Sequence, residues 1–182
     1  MKTLFTLILT LLLISQVKSQ DKFLTKTGFV SFFSHSLVED IKAENNQGLS
    51  IIDTKTGEIV VQLLMRSFMF EKALMQEHFN ENYIESDKYP KATFKGKILN
   101  FNKNVTEDSI LEIEGILFIH GKEKEIKIKI KGEFKKNSNE LILSGDFMVE
   151  VADFDIKIPT IVVNNIAKIV KVSFEFHHTP YK

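Results

Sequence analysis

The stretch GILFIHGKEKEIKIKIK, residues 115–131, decides the fold. Its second half alternates strictly: Ile126, Ile128 and Ile130 fall on one side, Lys127, Lys129 and Lys131 on the other. A period of two is the mark of a β-strand with one wet face. Its first half, Gly115 to Ile119, is apolar in succession. A strand of that kind is buried on both faces and needs a cover outside as well as a core inside. Between the halves stands His120-Gly121, a two-residue link that turns one strand back along its neighbour. The segment reads as a β-hairpin.

The same period extends in both directions. Phe94, Gly96 and Ile98 alternate with Lys95 and Lys97. Leu141, Leu143, Phe147, Val149 and Val151 share one face, while Ser144, Asp146 and Glu150 share the other. Val170, Val172, Phe174 and Phe176 alternate with Lys171, Ser173 and Glu175. Turn chemistry stands at Asn45-Asn46-Gln47-Gly48, Lys55-Thr56-Gly57 and Lys136-Asn137-Ser138-Asn139. About eight short strands result, which is the pattern of an antiparallel barrel or sandwich. One segment departs from it. Glu71 to Asn80 sets Leu74, Met75, His78 and Phe79 at helical spacing. This short amphipathic helix is expected to pack its Leu74, Met75 and Phe79 face on the barrel and to govern access to the interior. The helix, or a second copy in a homodimer, would cover the doubly apolar strand at 115–119.

Lys2, an apolar run from Leu4 to Ile14 and small residues at Val17 and Ser19 have the layout of a secretory signal peptide. The run is about 11 residues, short of the roughly 20 that cross a bilayer as a helix. Cleavage after Ser19 leaves residues 20–182 as one domain, periplasmic or secreted and not membrane-spanning. The chain has no Cys. Thiolate chemistry, disulfides and cysteine-zinc sites are therefore excluded, and stability must come from packing. Basic and acidic residues balance at 24 each, which disfavours nucleic acid as a partner. Phe is abundant: 16, against three Tyr and no Trp. Phe adds apolar area with no polar atom to satisfy, whether in a solid core or in the wall of a cavity.

Five His residues are present, with no HExxH spacing. His177 and His178 are adjacent and on a strand would face opposite ways. His35 lies in Ser34-His35-Ser36 without a nucleophile elbow. Arg66, in the mostly apolar run Leu63 to Phe68, would pair a carboxylate, meet an anionic head group or sit at the barrel rim.

The stretch HFNENYIESDKYPKATF, residues 78–94, resembles the YceI-like family, the bacterial polyisoprenoid-binding, lipocalin-like proteins. That family has a helix with a His before an apolar residue, then an Asp, a Tyr-Pro and a strand opening on Thr-Phe. Gly115 to Gly121 resembles its strand ending in Ile-His-Gly. Phe147-Met148-Val149 followed by Asp153-Phe154 resembles its late strand. Val151-Ala152 stands where the family has Arg-Ser, so no role of that Arg carries over. The resemblance implies an all-β fold, an antiparallel eight-stranded lipocalin-like barrel with one short helix near residues 71–80. It implies an isoprenoid or similar long apolar ligand in the bore, no cofactor and no metal, and a carrier, not an enzyme. Alternation then turns Phe32, Phe94, Ile98, Leu117, Ile119, Phe147, Val172 and Phe174 toward the ligand, with Gly96 and Gly115 leaving room between them. Phe68, Phe70, Leu74, Phe79 and Phe154 complete the wall, and His35, Arg66, His78 and His120 are head-group candidates. Two other readings stay open: a hydrolase on the same fold using His78 or His120 as base, and a solid-core protein that binds a partner by its outer face.

The leader carries its own test. N-terminal sequencing of protein from cell fractions is expected to find a periplasmic chain starting at or near Gln20. An intact Met1 in the cytosol would be the opposite result.

Overall fold

Alternating residues form strands where the period of two runs longest. The computed structural model describes residues 21–36, 39–102, 105–106, 109–158 and 167–181. The segment read as a signal peptide lies outside the described residues. The strands are β1 (Lys22–His35), β2 (Asp40–Asp53), β3 (Glu58–Leu64), β4 (Met69–Phe70), β5 (Lys91–Ile98), β6 (Ser109–Ile119), β7 (Lys122–Lys135), β8 (Glu140–Glu150) and β9 (Ile169–Pro180). Helix α1 (Ala73–His78) follows β4. Eight long strands close as an antiparallel barrel in the order β1-β9-β8-β7-β6-β5-β3-β2, with β2 paired back to β1. Each long strand has a neighbour on both sides, although the β7–β8 ladder covers only Lys131–Lys135 with Glu140–Ser144 and the β2–β3 ladder only Leu49–Ile52 with Ile59–Gln62. β4 is a two-residue rung on β2. The β6–β7 link is the expected hairpin: His120 and Gly121 have φ of 49° and 77°, the two positive values that a type I′ turn requires.

The residues Asn45 to Gly48 do not form a turn. They lie inside the continuous strand β2, where the pairing jumps from Gly28↔Gly48 to Val30↔Asn45. Two residues of β2 face one of β1, a β-bulge that bends the strand. Asn45 absorbs the irregularity: its Oδ1 accepts from the Gln47 N–H at 2.8 Å and its Nδ2 donates to the Leu64 carbonyl at 3.1 Å. The side chain thus supplies locally what the ladder loses.

Two cross-strand glycine pairs mark the sharpest approaches. Gly28 pairs with Gly48 between β1 and β2, and Gly96 with Gly115 between β5 and β6. A Cβ on Gly28 would sit 2.1 Å from the Phe176 ring, and one on Gly96 would sit 2.4 Å from the Phe94 ring. Each pair is roofed by a phenylalanine. At Gly115 the obstacle is main chain: a Cβ would lie 2.3 Å from the Lys95 carbonyl oxygen and 2.4 Å from the Gly96 Cα. Gly96 and Gly115 therefore do not leave room in the bore, as the alternation suggested; they let two backbones close on each other.

Phe23, Ile52, Ile98 and Leu141, all at most 3% exposed, fill the end of the barrel that holds the β2–β3 and β7–β8 turns. The other end holds α1, the β6–β7 hairpin and the chain on either side of the β8–β9 connection. α1 is shorter than expected and passes into a π-helical turn over Phe79–Tyr83. Phe79 makes the contact, its ring 5.4 Å from Phe32, 5.9 Å from Phe68 and 5.0 Å from Phe70. Leu74, expected on the packed face, is 61% exposed. The helix does not cover the doubly apolar strand either. Ile116 stays exposed on the outer wall, with Lys95 and Glu125 beside it in register.

Two expectations about stability follow. Gly115→Ala should cost about 1–3 kcal/mol, because β5 cannot move aside without breaking its ladder. Gly145→Ala, whose Cβ meets nothing closer than 3.3 Å, should stay within about 0.5 kcal/mol. Chemical denaturation of the two variants makes the comparison.

The second concerns His178, fully buried in the filled end. Its Nε2 accepts from the Ser50 hydroxyl at 2.8 Å and its Nδ1 faces the Leu141 carbonyl at 3.2 Å. Burial pushes its pKa down to about 4, against about 6.5 for an unfolded His. Between those values the unfolded chain takes a proton that the folded chain refuses, so stability falls as pH falls. His177 shifts the other way, raised by hydrogen bonds to Glu175 and Glu140 against partial burial. Its contribution is complete below about 6.5 and is lost as pH rises through its folded value, so the two windows do not overlap. The wild type should lose roughly 3 kcal/mol more than His178→Gln between pH 7 and pH 4. Equal slopes for the two proteins would contradict the assignment.

Candidate functional site

In the upper barrel the inward residues are mostly apolar and line a cavity of about 590 Å³. The lowest lining residues form one ring around the barrel: Val30, Ile59, Phe94, Ile113, Ile130, Leu143 and Phe176. Below that ring the filled end begins. Above it the wall continues through Val61, Leu63, Leu117, Ile119, Ile126, Ile128, Phe147, Val149, Val172 and Phe174. At the mouth stand Ile41, Leu74, Met75, Phe79, Ile156, Ile158 and Val170.

Few polar groups touch this space. Ser34, Glu39, Lys72, His78 and Tyr83 sit toward the mouth, and Thr93 lies on β5. Lys72 forms an ion pair with Glu39, which joins the start of α1 to the segment before β2. Donating a hydrogen bond to that carboxylate raises the Lys72 pKa. Burial raises that of the Tyr83 hydroxyl. Ser34 Oγ accepts from the Ala167 N–H at 3.0 Å, tying β1 to the chain just before β9. Within the Lys72–Glu39 pair the two charges offset each other.

Eleven of the thirteen residues expected in the wall line the cavity: Phe32, Phe68, Phe70, Leu74, Phe79, Phe94, Leu117, Ile119, Phe147, Val172 and Phe174. The other two do not. Ile98, fully buried, belongs to the filled end. Phe154, 1% exposed, packs with Leu117 and Val149 outside the cavity lining. Of the four head-group candidates, His78 alone reaches the cavity. His35 is exposed and pairs with Asp40 at 2.6 Å. Arg66 sits on the rim, paired with Asp87 and donating from Nε to Ser86 Oγ at 3.3 Å. His120 works as a fastener. Its Nδ1 is 2.9 Å from the Phe154 carbonyl, its Nε2 is 3.0 Å from Glu85, and the Tyr89 ring lies 4.4 Å from its own.

Several lining residues were missed. Ile113, Leu143, Val149 and Val170 lie on faces that alternation identifies, and the same period would have found them. Val61 and Leu63 sit in β3, whose run of apolar residues hides its parity. Glu39 and Lys72 are separated by 33 residues, and no local signal joins them.

The barrel is shared by solved structures. It is similar to a polyisoprenoid binding domain from Saccharophagus degradans implicated in plant cell wall breakdown, at 16% identity and TM-score 0.75, over 88% of this chain and 99% of that one. BcnA of Burkholderia cenocepacia is similar at 17% identity and TM-score 0.67, over 83% of this chain and 94% of that one. The YCEI protein of Campylobacter jejuni is similar at 16% and 0.62, over 81% and 90%. No curated protein matches the sequence. The YceI-like domain family matches residues 17–178, nearly the whole chain, and together with the closed eight-stranded barrel this shows that the protein belongs to the YceI-like family.

Proposed function

We propose that the protein is an exported carrier that holds an isoprenoid or similar long apolar chain in the upper bore, for sequestration or transport. The observation that carries this reading is the cavity: about 590 Å³, walled by the inward apolar residues of all eight long strands. A wall of that kind repays an apolar chain for leaving water, at about 0.8 kcal/mol per buried methylene. It offers a polar head little below the rim. The description of the Saccharophagus degradans relative as polyisoprenoid-binding supports the same class of ligand. The chain's head would lie near Glu39, Lys72, His78 and Tyr83, and its tail among Ile128, Phe147, Val172 and Phe174. A carrier with a signal sequence works in the periplasm or outside the cell.

A hydrolase reading needs a base with a nucleophile or an orienting acid in reach of substrate. His120, one of its two candidate bases, spends both ring nitrogens on Phe154 and Glu85, so only His78 fits that role by position.

The test is lipid recovered with the protein. Protein purified from its own host should release, on solvent extraction, an apolar chain lipid at close to one per barrel by mass spectrometry. Phe147→Glu places a carboxylate in the wall, which is costly to desolvate beside an apolar tail, and should lower recovery at least about tenfold. Equal, near-zero recovery from both proteins would end the carrier reading.

A further inference from the structure

The barrel wall is not held equally well at every strand pair. Beside the cavity, β7 is laddered to β6 along its whole upper length, from Ile119↔Lys122 to Leu111↔Ile130. β8 is laddered to β9 up to Glu150↔Ile169. Between β7 and β8 the ladder stops at Lys131↔Ser144, and no rung pairs Lys122–Ile130 with Gly145–Glu150. The two strands are still close at the foot of this seam, where a Cβ on Gly145 would lie 3.5 Å from the Ile130 Cα. At its head they are joined only through the turn at Val151–Phe154 and the residue after it. Lys124 pairs with Asp153, Lys122 with Asp155 at 2.7 Å, and His120 Nδ1 faces the Phe154 carbonyl at 2.9 Å.

The other short ladder, β2–β3, is closed by substitutes. Asn45 donates to the Leu64 carbonyl, Ser67 Oγ bonds to Gln47, and β4 pairs with Ala43 and Glu44. From Glu125 to Ile130 the described residues supply no polar substitute toward β8; Lys127 turns to Glu112 and Glu114 on β6. What meets across the seam is apolar side chains, Ile126 and Phe147 packing on the cluster of Leu117, Val149 and Phe154. Ile126, Ile128, Phe147 and Val149 are also cavity lining, and the first three are only half-buried. Seven residue steps separate Lys124 from Lys131, which at about 3.3 Å per residue makes a slit about 23 Å long.

We propose that the apolar chain enters and leaves the barrel sideways, through the β7–β8 seam between Lys131↔Ser144 and the Lys124–Asp153 pair, and not end-on through the mouth. This rests on the carrier reading above and adds the route to it. Parting β7 from β8 there separates side chains and breaks no ladder, whereas parting any neighbouring pair beside the cavity breaks a row of main-chain hydrogen bonds. Segments without such bonds open first. The slit runs along the strands, so an extended chain lying in the bore can pass through it broadside. An end-on exit must instead pass the crossover, which the Phe79 ring pins to Phe32, Phe68 and Phe70.

The chain has no Cys, so a bismaleimide can tether two introduced thiols and nothing else. Lys127→Cys with Met148→Cys sets them across the seam, at positions the register would place opposite each other. Asp40→Cys with Glu71→Cys sets them across the mouth, beside the Lys72–Glu39 pair. Each double variant is compared with its own untethered form. The probe is all-trans-retinol, an isoprenoid alcohol whose fluorescence rises in apolar surroundings, exchanged with phosphatidylcholine vesicles. The seam tether should slow uptake and release alike, by at least about tenfold, and leave the equilibrium partition unchanged, because a route sets rates and not end states. The mouth tether should leave both rates within about twofold. Lys124→Ala, which removes the ion pair at the head of the slit, should speed both by roughly two- to fivefold. Unchanged rates under the seam tether, or slowing by the mouth tether alone, would overturn the proposal and leave the carrier reading standing. If the seam tether shifts the partition as well, it has deformed the cavity, and Lys124→Ala decides: unaltered rates in that variant overturn the side route. Folded wild type that takes up no retinol would remove the carrier reading itself, and the route with it.

Discussion

Closing eight antiparallel strands into a barrel brings neighbouring backbones too close for a Cβ at two places. The two glycine pairs answer that constraint. Where Gly28 meets Gly48 and Gly96 meets Gly115, the absence of Cβ atoms lets neighbouring backbones close in. The bulge at Asn45 adds the local twist that turns β2 through the corner. Bare backbone on an inner face would leave a void, and voids forfeit dispersion contacts on every lining atom. Phe176 and Phe94 fill those voids. The corners of the barrel and the floor of its cavity are therefore one arrangement.

The open end meets a different constraint. A crossover of more than twenty residues, from Met65 to Pro90, lies across the rim, and its one helix buries none of its residues. A helix of that length has little stability of its own. It is held by contacts at either side. Phe79 joins the Phe32, Phe68 and Phe70 rings. Ile84 and Ser86 are buried, and His120 fastens Glu85 to the Phe154 carbonyl. Glu85, His120 and Asp155 all have positive φ without being glycine, a conformation that persists only where surrounding contacts over-determine it. The fastener is thus rigid, whereas α1 itself, between Lys72 and His78, is the loosely held part of the rim.

Much of this was written in the sequence, and the limit of what was legible has a physical form. A period of two reports direction, so Ile126, Ile128 and Ile130 could be assigned inward and the hairpin at His120-Gly121 located. Direction does not report depth. Phe94 and Ile98 share a strand and a face, yet one lines the cavity and the other is buried beneath it. Which of the two applies depends on what seven other strands bring to the same level. Composition misled in one place for a related reason. Asn and Gly favour any tight irregularity, so Asn45 to Gly48 could not distinguish a turn that ends a strand from a bulge that bends one. For Arg66 the apolar run left a carboxylate partner, a head group and the rim all open, and the pairing with Asp87, 21 positions away, had no local signal.

The same rings serve the wall and the core, and this couples capacity to stability. Phe176 is 4% exposed, shares a buried cluster with Val30 and Ala43, and stacks on the neighbouring Phe174. Removing such a ring takes away its transfer free energy and leaves a cavity, typically at about 3–5 kcal/mol in a core that cannot collapse. A deeper bore is thus a less stable barrel. A ligand that binds only the folded state offsets part of that cost by mass action, and offsets more of it the more apolar wall it covers. The depth at which the floor stands is where packing among the strands ends and contact with a ligand begins, and neither can be extended except at the expense of the other.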